Sequence, residues 1–395
     1  MKIKHLLSVL ALGTLATTCS YAQSIIKIGA PLALTGSLAD EAKKQQIAYT
    51  MWRDRVNAAG GIDVGGTKMK VELIESDYQS NAQRAQQMAE KMISQDKVDF
   101  LMSPFGSGHT KVVAGVAERY GVPVIAPSAS SVSVFDQCYK YLFGTLAPNS
   151  GLVETMAKVF TEKMPNVKTI AILGREDVFP KSMATAMEEA AKSAGLKIVH
   201  TEYYPIGNLD FSASLSSIRA AKPDWIYITG YDKDLILARK QMSDLRISAP
   251  IVTMITGPAY PEFRNNLGKL AENVTSVTWW HQATSYETKD VFGSTKAFFD
   301  EYVERAEAEP DYVGASSAAA LVALQMAIEK AGSIDKAKVR DALATLDIAT
   351  FYGPIKFGSN GMNAGRDLPV IQVQDGKVVL LYPTQIKQAE LKAFD

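Results

Sequence analysis

Apolar runs of strand length alternate with helix-period segments along almost the whole chain, and the series starts twice. The first series opens with SIIKIGAPLAL (24–34). A helical segment follows, closed by Gly60 and Gly61, and then the strand-like KMKVELIESD. Ser80 or Asn81 can cap the next helix, in which Ala85, Met88, Ala89 and Met92 recur on one face. VDFLM (98–102) and VPVIA (122–126) are further strands, separated by a helix marked by Val112, Val113, Val116 and Ala117. The rhythm begins again at KTIAIL (168–173) and runs on through DWIYIT, PIVTMI and NVTSVTWW. Such alternation requires parallel sheets covered by helices on both faces. The expected fold class is α/β, with two doubly wound parallel-sheet lobes that divide near residue 146. In sheets of this kind, ligands sit beyond the carboxyl ends of the strands.

At 395 residues the chain exceeds what one ordinary core holds, which agrees with two domains. Its 42 basic and 42 acidic side chains leave no excess to drive counterion release, so no nucleic-acid partner is expected. Residues 1–22 read as a secretory signal peptide: a positive start (MKIKH), a short apolar stretch and small residues before Gln23. Export to a bacterial periplasm follows. Lipid attachment at Cys19 is the weaker alternative, because Thr18 fits a lipoprotein box poorly. After cleavage Cys138 is the only cysteine, which excludes an internal disulfide.

Two stretches in the first series combine small hydroxyl residues with little charge: SPFGSGHT (103–110) and IAPSASS (125–131). FGSGH is not a nucleophile elbow, since glycines flank Ser107 directly on both sides. GGIDVGGTK (60–68) carries Thr67 where a phosphate loop needs lysine, and it joins a helix to a strand. Beyond the leader, His109, His200 and His281 are scattered, so neither a metal site nor a cofactor is expected. A pocket for a small anion fits better. Ser107 and Gly108 lie where a helix starts, with free N–H groups and a positive dipole end. Ser128 and Ser130 can turn into the same crevice. Hydroxyls and amides without lysine or arginine suit a carboxylate.

The stretch from SPFGSGHT through IAPSASS resembles the corresponding loops of periplasmic solute-binding proteins that serve ABC importers of branched-chain amino acid type. The similarity continues through KYLFGTLAP, GYDKDLILARKQM, TGPAYPEF and PDYVGASSAAALVALQMAIEKAG, in the family's order. It implies a venus-flytrap protein with three crossovers, a non-enzyme that binds a solute and hands it to an inner-membrane ABC permease. The rival role is a sensor subunit presenting its ligand to a membrane receptor. The resemblance implies lobe 1 over 23–146 and 281–350, lobe 2 over 147–280 and 351–384, and a tail over 385–395. The protein is expected to act as a monomer. The family's carboxylate-binding serine maps to Ser107, and its alanine/serine loop to Ser128, Ala129 and Ser130. The aromatics Phe179, Tyr231 and Trp280 fall near the ligand.

One departure stands out. Amino-acid-binding members place an acid just after the strand equivalent to PIVTMI, facing the ligand ammonium. Here MITGPAY has none before Glu262. With Trp279, Tyr260 and Tyr286 also expected near the cleft, the residues favour an aromatic carboxylic acid over a hydrophobic amino acid. Asp232, Glu176 and Asp177 are the acids that could still meet an ammonium.

Overall fold

A computed structural model describes residues 25–364 and 368–394. The signal-peptide segment lies outside the described residues. The first sheet contains β1 (Ile25–Leu32), β2 (Ile62–Val64), β3 (Thr67–Asp77), β4 (Phe100–Met102), β5 (Val124–Ala126) and β6 (Leu142–Gly144). Their spatial order is β2-β3-β1-β4-β5-β6, all parallel except for the β2–β3 hairpin. Helices α1 (Ala39–Ala58), α2 (Ala82–Ser94), α3 (Ser107–Tyr120) and α4 (Val132–Phe135) connect these strands. Asn81 caps α2 by accepting from the Arg84 N–H at 3.0 Å, and Ala85, Ala89, Met92 and Ile93 are buried. The helix therefore starts and faces inward where its sequence pattern requires.

After α5 (Asn149–Lys163) come β7 (Thr169–Arg175), α6 (Val178–Ser193), β8 (Lys197–Tyr204) and α7 (Ser212–Ala221). Next are β9 (Trp225–Thr229), α8 (Asp232–Asp244), β10 (Ile251–Ile255), α9 (Pro261–Leu267) and β11 (Thr275–Val277). Every residue of β9 and β10 is buried, which is why both read as unbroken apolar runs. The chain continues through α10 (Thr295–Ala306), α11 (Tyr312–Ala331), α12 (Lys336–Ala344), β12 (Asp347–Thr350) and β13 (Gly353–Lys356). It ends with β14 (Val370–Gln374) and β15 (Lys377–Tyr382). The second sheet is ordered β15-β14-β11-β10-β9-β7-β8, with β14 and β15 antiparallel to their neighbours. Helix α11 is long and apolar enough to cross a membrane by composition, but it is a core helix packed on α1 and α12.

In both sheets the first parallel strand lies between the next two, as β3-β1-β4 and β8-β7-β9. The direction of winding reverses beside β1 and beside β7, which opens a crevice at the strands' carboxyl ends. Helix α5 packs on α6, whereas α10 and α11 return to α1, so the chain crosses between sheets after β6 and again after β11. The third crossing differs from the division expected near residue 350. Gly144 N–H donates to Gly361 O at 2.8 Å, Asn363 N–H donates to Gly144 O at 2.9 Å, and Phe357 packs on Phe143. Residues 353–363 thus stay with the first sheet, and the crossing falls after 363. Backbone pairing at the edge of β6 decides this, and such pairing leaves no periodic trace in sequence. The expected tail packs on the second lobe: Phe394 N–H donates to Pro250 O, and the Gln372 side chain bonds Lys392 O.

Candidate functional site between the lobes

Ser107 is the first residue of α3 and is completely buried. Its Oγ accepts from the N–H groups of Ser130 and Ser131, each at 3.3 Å. Both lone pairs are thereby engaged, which leaves its proton to donate to a ligand. Beside it, Ser128 Oγ and Ser130 Oγ are buried without a hydrogen-bond partner. Ala129 between them is fully buried. The preceding Gly106 adopts φ 86°, a left-handed conformation that glycine tolerates. A Cβ there would stand 3.2 Å from the Tyr231 hydroxyl of the other lobe. A Cβ on Gly108 would likewise meet Asp177 Oδ1 at 3.3 Å. The start of α3 is therefore pressed against the second lobe.

Other contacts hold the lobes together. Ser131 Oγ lies 2.8 Å from Ser182 Oγ, and the Tyr260 and Tyr312 hydroxyls are 2.8 Å apart. Lys44 on α1 bonds Glu262 at 2.8 Å across the cleft and Asp311 at 2.6 Å within its own lobe.

An aromatic series runs through the interface. Phe105 meets Tyr231 edge-on at 5.8 Å, and Tyr231 stacks on Phe179 at 6.1 Å. Phe179 lies 6.0 Å from Trp279, which in turn lies 5.0 Å from Tyr312. Phe179 and Tyr231 thus stand together. Trp280 does not join them: it packs edge-on against Phe298 of α10 at 6.0 Å. The chain bends at Trp279, just past the end of β11, and this ring faces the aromatic series instead. Tyr286 also lies apart, with its backbone N–H bound to Thr295 Oγ1.

The structure also brings in residues that sequence reasoning missed. Arg175, at the end of β7, donates to Asp234 Oδ2 at 2.7 Å and lies 5.0 Å over the Tyr231 ring. Asp234 accepts from the Tyr231 N–H at 3.1 Å, which satisfies the N-cap amide of α8. Glu41, in the first turn of α1, is buried with Oε2 unpartnered. No motif marks it, because acids in a first helical turn are ordinary. Of the acids considered from sequence, Glu176 pairs with Lys181 at the surface. Asp177 caps α6 by accepting from Val178 N–H at 2.7 Å. Asp232 keeps a buried Oδ1 with no partner.

Buried polar atoms are normally satisfied, and leaving one orphaned costs about 1–3 kcal/mol. Here orphans gather at the strands' carboxyl ends: Glu41, Tyr78, Ser128 and Ser130 in the first lobe, Thr229 and Asp232 in the second. An arrangement of this kind offers unsatisfied donors and acceptors to a polar small molecule. Among the described residues there is no cluster of three His, Cys, Asp or Glu suited to a metal ion.

Residues 25–377 match the family model described as "Periplasmic binding protein". The chain is 24% identical over 371 residues to the leucine-, isoleucine-, valine-, threonine- and alanine-binding protein of Pseudomonas aeruginosa, covering 94% of this chain and 95% of that one. It superimposes with a TM-score of 0.80 on the branched-chain amino acid transporter substrate-binding protein LivJ of Streptococcus pneumoniae in complex with isoleucine. That match has 24% identity and covers 94% of this chain and 100% of the other. A solute-binding protein of an ABC transporter from Rhodopseudomonas palustris, in complex with 3,4-dihydroxybenzoic acid, gives a TM-score of 0.78 at 18% identity over 94% and 97% of the two chains. With its two doubly wound lobes and the orphaned polar groups between them, the chain belongs to the periplasmic binding protein family.

Proposed function

We propose that this protein captures a small carboxylate-bearing solute between its lobes in the periplasm and delivers it to an inner-membrane ABC permease. The carboxylate lies against the amides at the start of α3 and the hydroxyls of Ser107, Ser128 and Ser130. The ring series of Phe105, Tyr231, Phe179 and Trp279 bounds the body of the solute, which favours a flat, aromatic carboxylic acid. The observation that carries this reading is the pair of buried, unpartnered hydroxyls on one loop, Ser128 Oγ and Ser130 Oγ, beside a helix start. Cleavage after Ala22 belongs to the same proposal, since it would release the protein into the periplasm.

Ser130→Ala tests it. Removing one hydroxyl from a charged hydrogen bond is expected to weaken binding of an aromatic acid by about 1.5–3 kcal/mol, roughly tenfold or more. Calorimetry with benzoate- and phenylpropanoate-type acids measures this, with the melting temperature followed in parallel. Wild-type affinity in the variant would remove the loop from the site. Small-angle scattering should show a smaller radius with solute than without, since binding favours the closed arrangement of the lobes.

A further inference from the structure

Charge between the lobes is concentrated at the start of α9, where the second lobe meets α1 and the segment leading into α11 of the first. Three sets of contacts cross there. The Tyr260 and Tyr312 hydroxyls lie 2.8 Å apart. Lys44 on α1 bonds Glu262 at 2.8 Å and stands 4.5 Å over the Tyr260 ring. Two residues further along α9, Arg264 meets Glu309 at 3.5 Å. Elsewhere the lobes are joined differently. Where α4 meets α6, the crossing bond is the neutral one between Ser131 and Ser182. Among the described residues the other ion pair between the lobes is Lys233 with Asp40 at 3.3 Å. Both of its side chains are more than half exposed, so it contributes little.

Each charged group at α9 keeps a partner or regains water when the lobes part. Lys44 retains Asp311 at 2.6 Å inside its own lobe, and Arg264 retains its bond to Pro258 O at 2.9 Å. The Glu262 and Glu309 side chains are already 37% and 57% exposed, and opening returns them to solvent. Breaking these contacts therefore strands no buried charge, which is what makes the loss of one partner so costly in a fully buried pair. Burial works against the Lys44 ammonium, but Asp311 and Glu262 outweigh it and raise its pKa, so the cation is kept.

We infer that this cluster is a reversible clasp that sets how long the lobes stay shut, with Glu262 and Arg264 as positioning residues that slow release of the solute without touching it. This rests on the reading above that the lobes close about a solute. The charged groups of the clasp belong neither to the serine loops nor to the ring series assigned to that solute. The clasp can therefore form in ligand-free protein, and it acts alike on solutes of different shape. Its pairs are partly exposed, so it biases closure by a modest factor and is weakened by salt. Since the pairs form only once the lobes have met, their loss is felt in release and not in capture.

Glu262→Gln and Glu309→Gln test it, because each keeps the side chain's size and removes the charge that crosses between the lobes. Stopped-flow measurement uses phenylpropanoate, 3,4-dihydroxybenzoate and leucine as probes. Each variant should speed dissociation about two- to fivefold and the double variant about five- to tenfold, with association unchanged. The acceleration should be equal for every probe that binds, and salt should speed release from wild type more than from the double variant. Ligand-free melting temperatures should stay at the wild-type value, which separates a clasp from ordinary support of either lobe. Small-angle scattering of ligand-free protein needs no probe: the double variant, and wild type at high salt, should show a larger radius than wild type at low salt. If no probe binds and the radius responds in this way, the clasp stands and the proposed solute class fails. Unchanged release together with an unchanged ligand-free radius in the double variant overturns the inference. So does acceleration confined to one probe, which would put Glu262 or Glu309 against the solute.

Discussion

Asp234→Ala is expected to destabilise the protein by about 3 kcal/mol and to lower the melting temperature by about 6–12 °C. The cause is the partner left behind. Arg175 and Asp234 are both about nine-tenths buried and joined at 2.7 Å. Removing the carboxylate leaves a guanidinium in the interior with Asp177 at 3.6 Å and the Tyr231 ring as its remaining neighbours. The same change frees the Tyr231 N–H that Asp234 caps. Ligand affinity should therefore fall along with stability, although Asp234 belongs to the support of the site. Asp234→Asn retains an acceptor of the same shape, so it should recover the cap but not the charge. An intermediate melting temperature with most of the affinity restored would separate those two roles. A Tm equal to wild type in the alanine variant would show that the pair contributes nothing net.

Trp279→Ala should have an effect of similar size, about 3–5 kcal/mol, because it empties a large, fully buried volume. Two further consequences come from where the ring sits. Its Nε1–H donates to Ala147 O at 2.9 Å, linking the second crossing segment to the first. Its face continues the aromatic series between Phe179 and Tyr312. Trp279→Phe keeps much of the packing and loses the hydrogen bond, so it should cost about 1–3 kcal/mol through the orphaned carbonyl. Denaturant titration gives the stabilities, and scattering of the ligand-free variants reports whether the lobes open further. The alanine variant is expected to open, while Trp280→Ala should affect the packing of α10 and leave the ring series intact.

Much of the fold was legible because its signals are local and repeated. The fully buried β9 and β10 had to be apolar throughout, and the capped, one-sided α2 had to show a period near that of a helix. The serine loops were legible because a strand end followed by glycine and serine can be recognised within a few residues. Glu41 was hidden for the opposite reason. Its environment is made by Lys44 on its own helix and by α8 across the cleft, elements far apart in sequence. Trp279 and Trp280 were separable only by the side each faces, which depends on a bend just past the end of β11. The third crossing was misplaced because edge pairing with β6 depends on backbone groups that all residue types share.

Bonds at the first-lobe ends of the crossing segments bear on how the lobes can move. Asn363 Nδ2 donates to Thr145 O at 3.1 Å and to Pro354 O at 3.1 Å, while Gly144 pairs with Gly361 and Asn363 through its backbone. Trp279 adds its bond to Ala147 from the remaining segment. Three independent strings would let one lobe twist, slide and tilt against the other. Strings fastened side by side behave as a strap, soft to folding across its width and stiff to torsion and shear. Relative motion is then confined largely to a single rotation, and each partly closed arrangement already has the mouth of the cleft in register. A solute held by one lobe need not wait for a search over orientations before it meets the second.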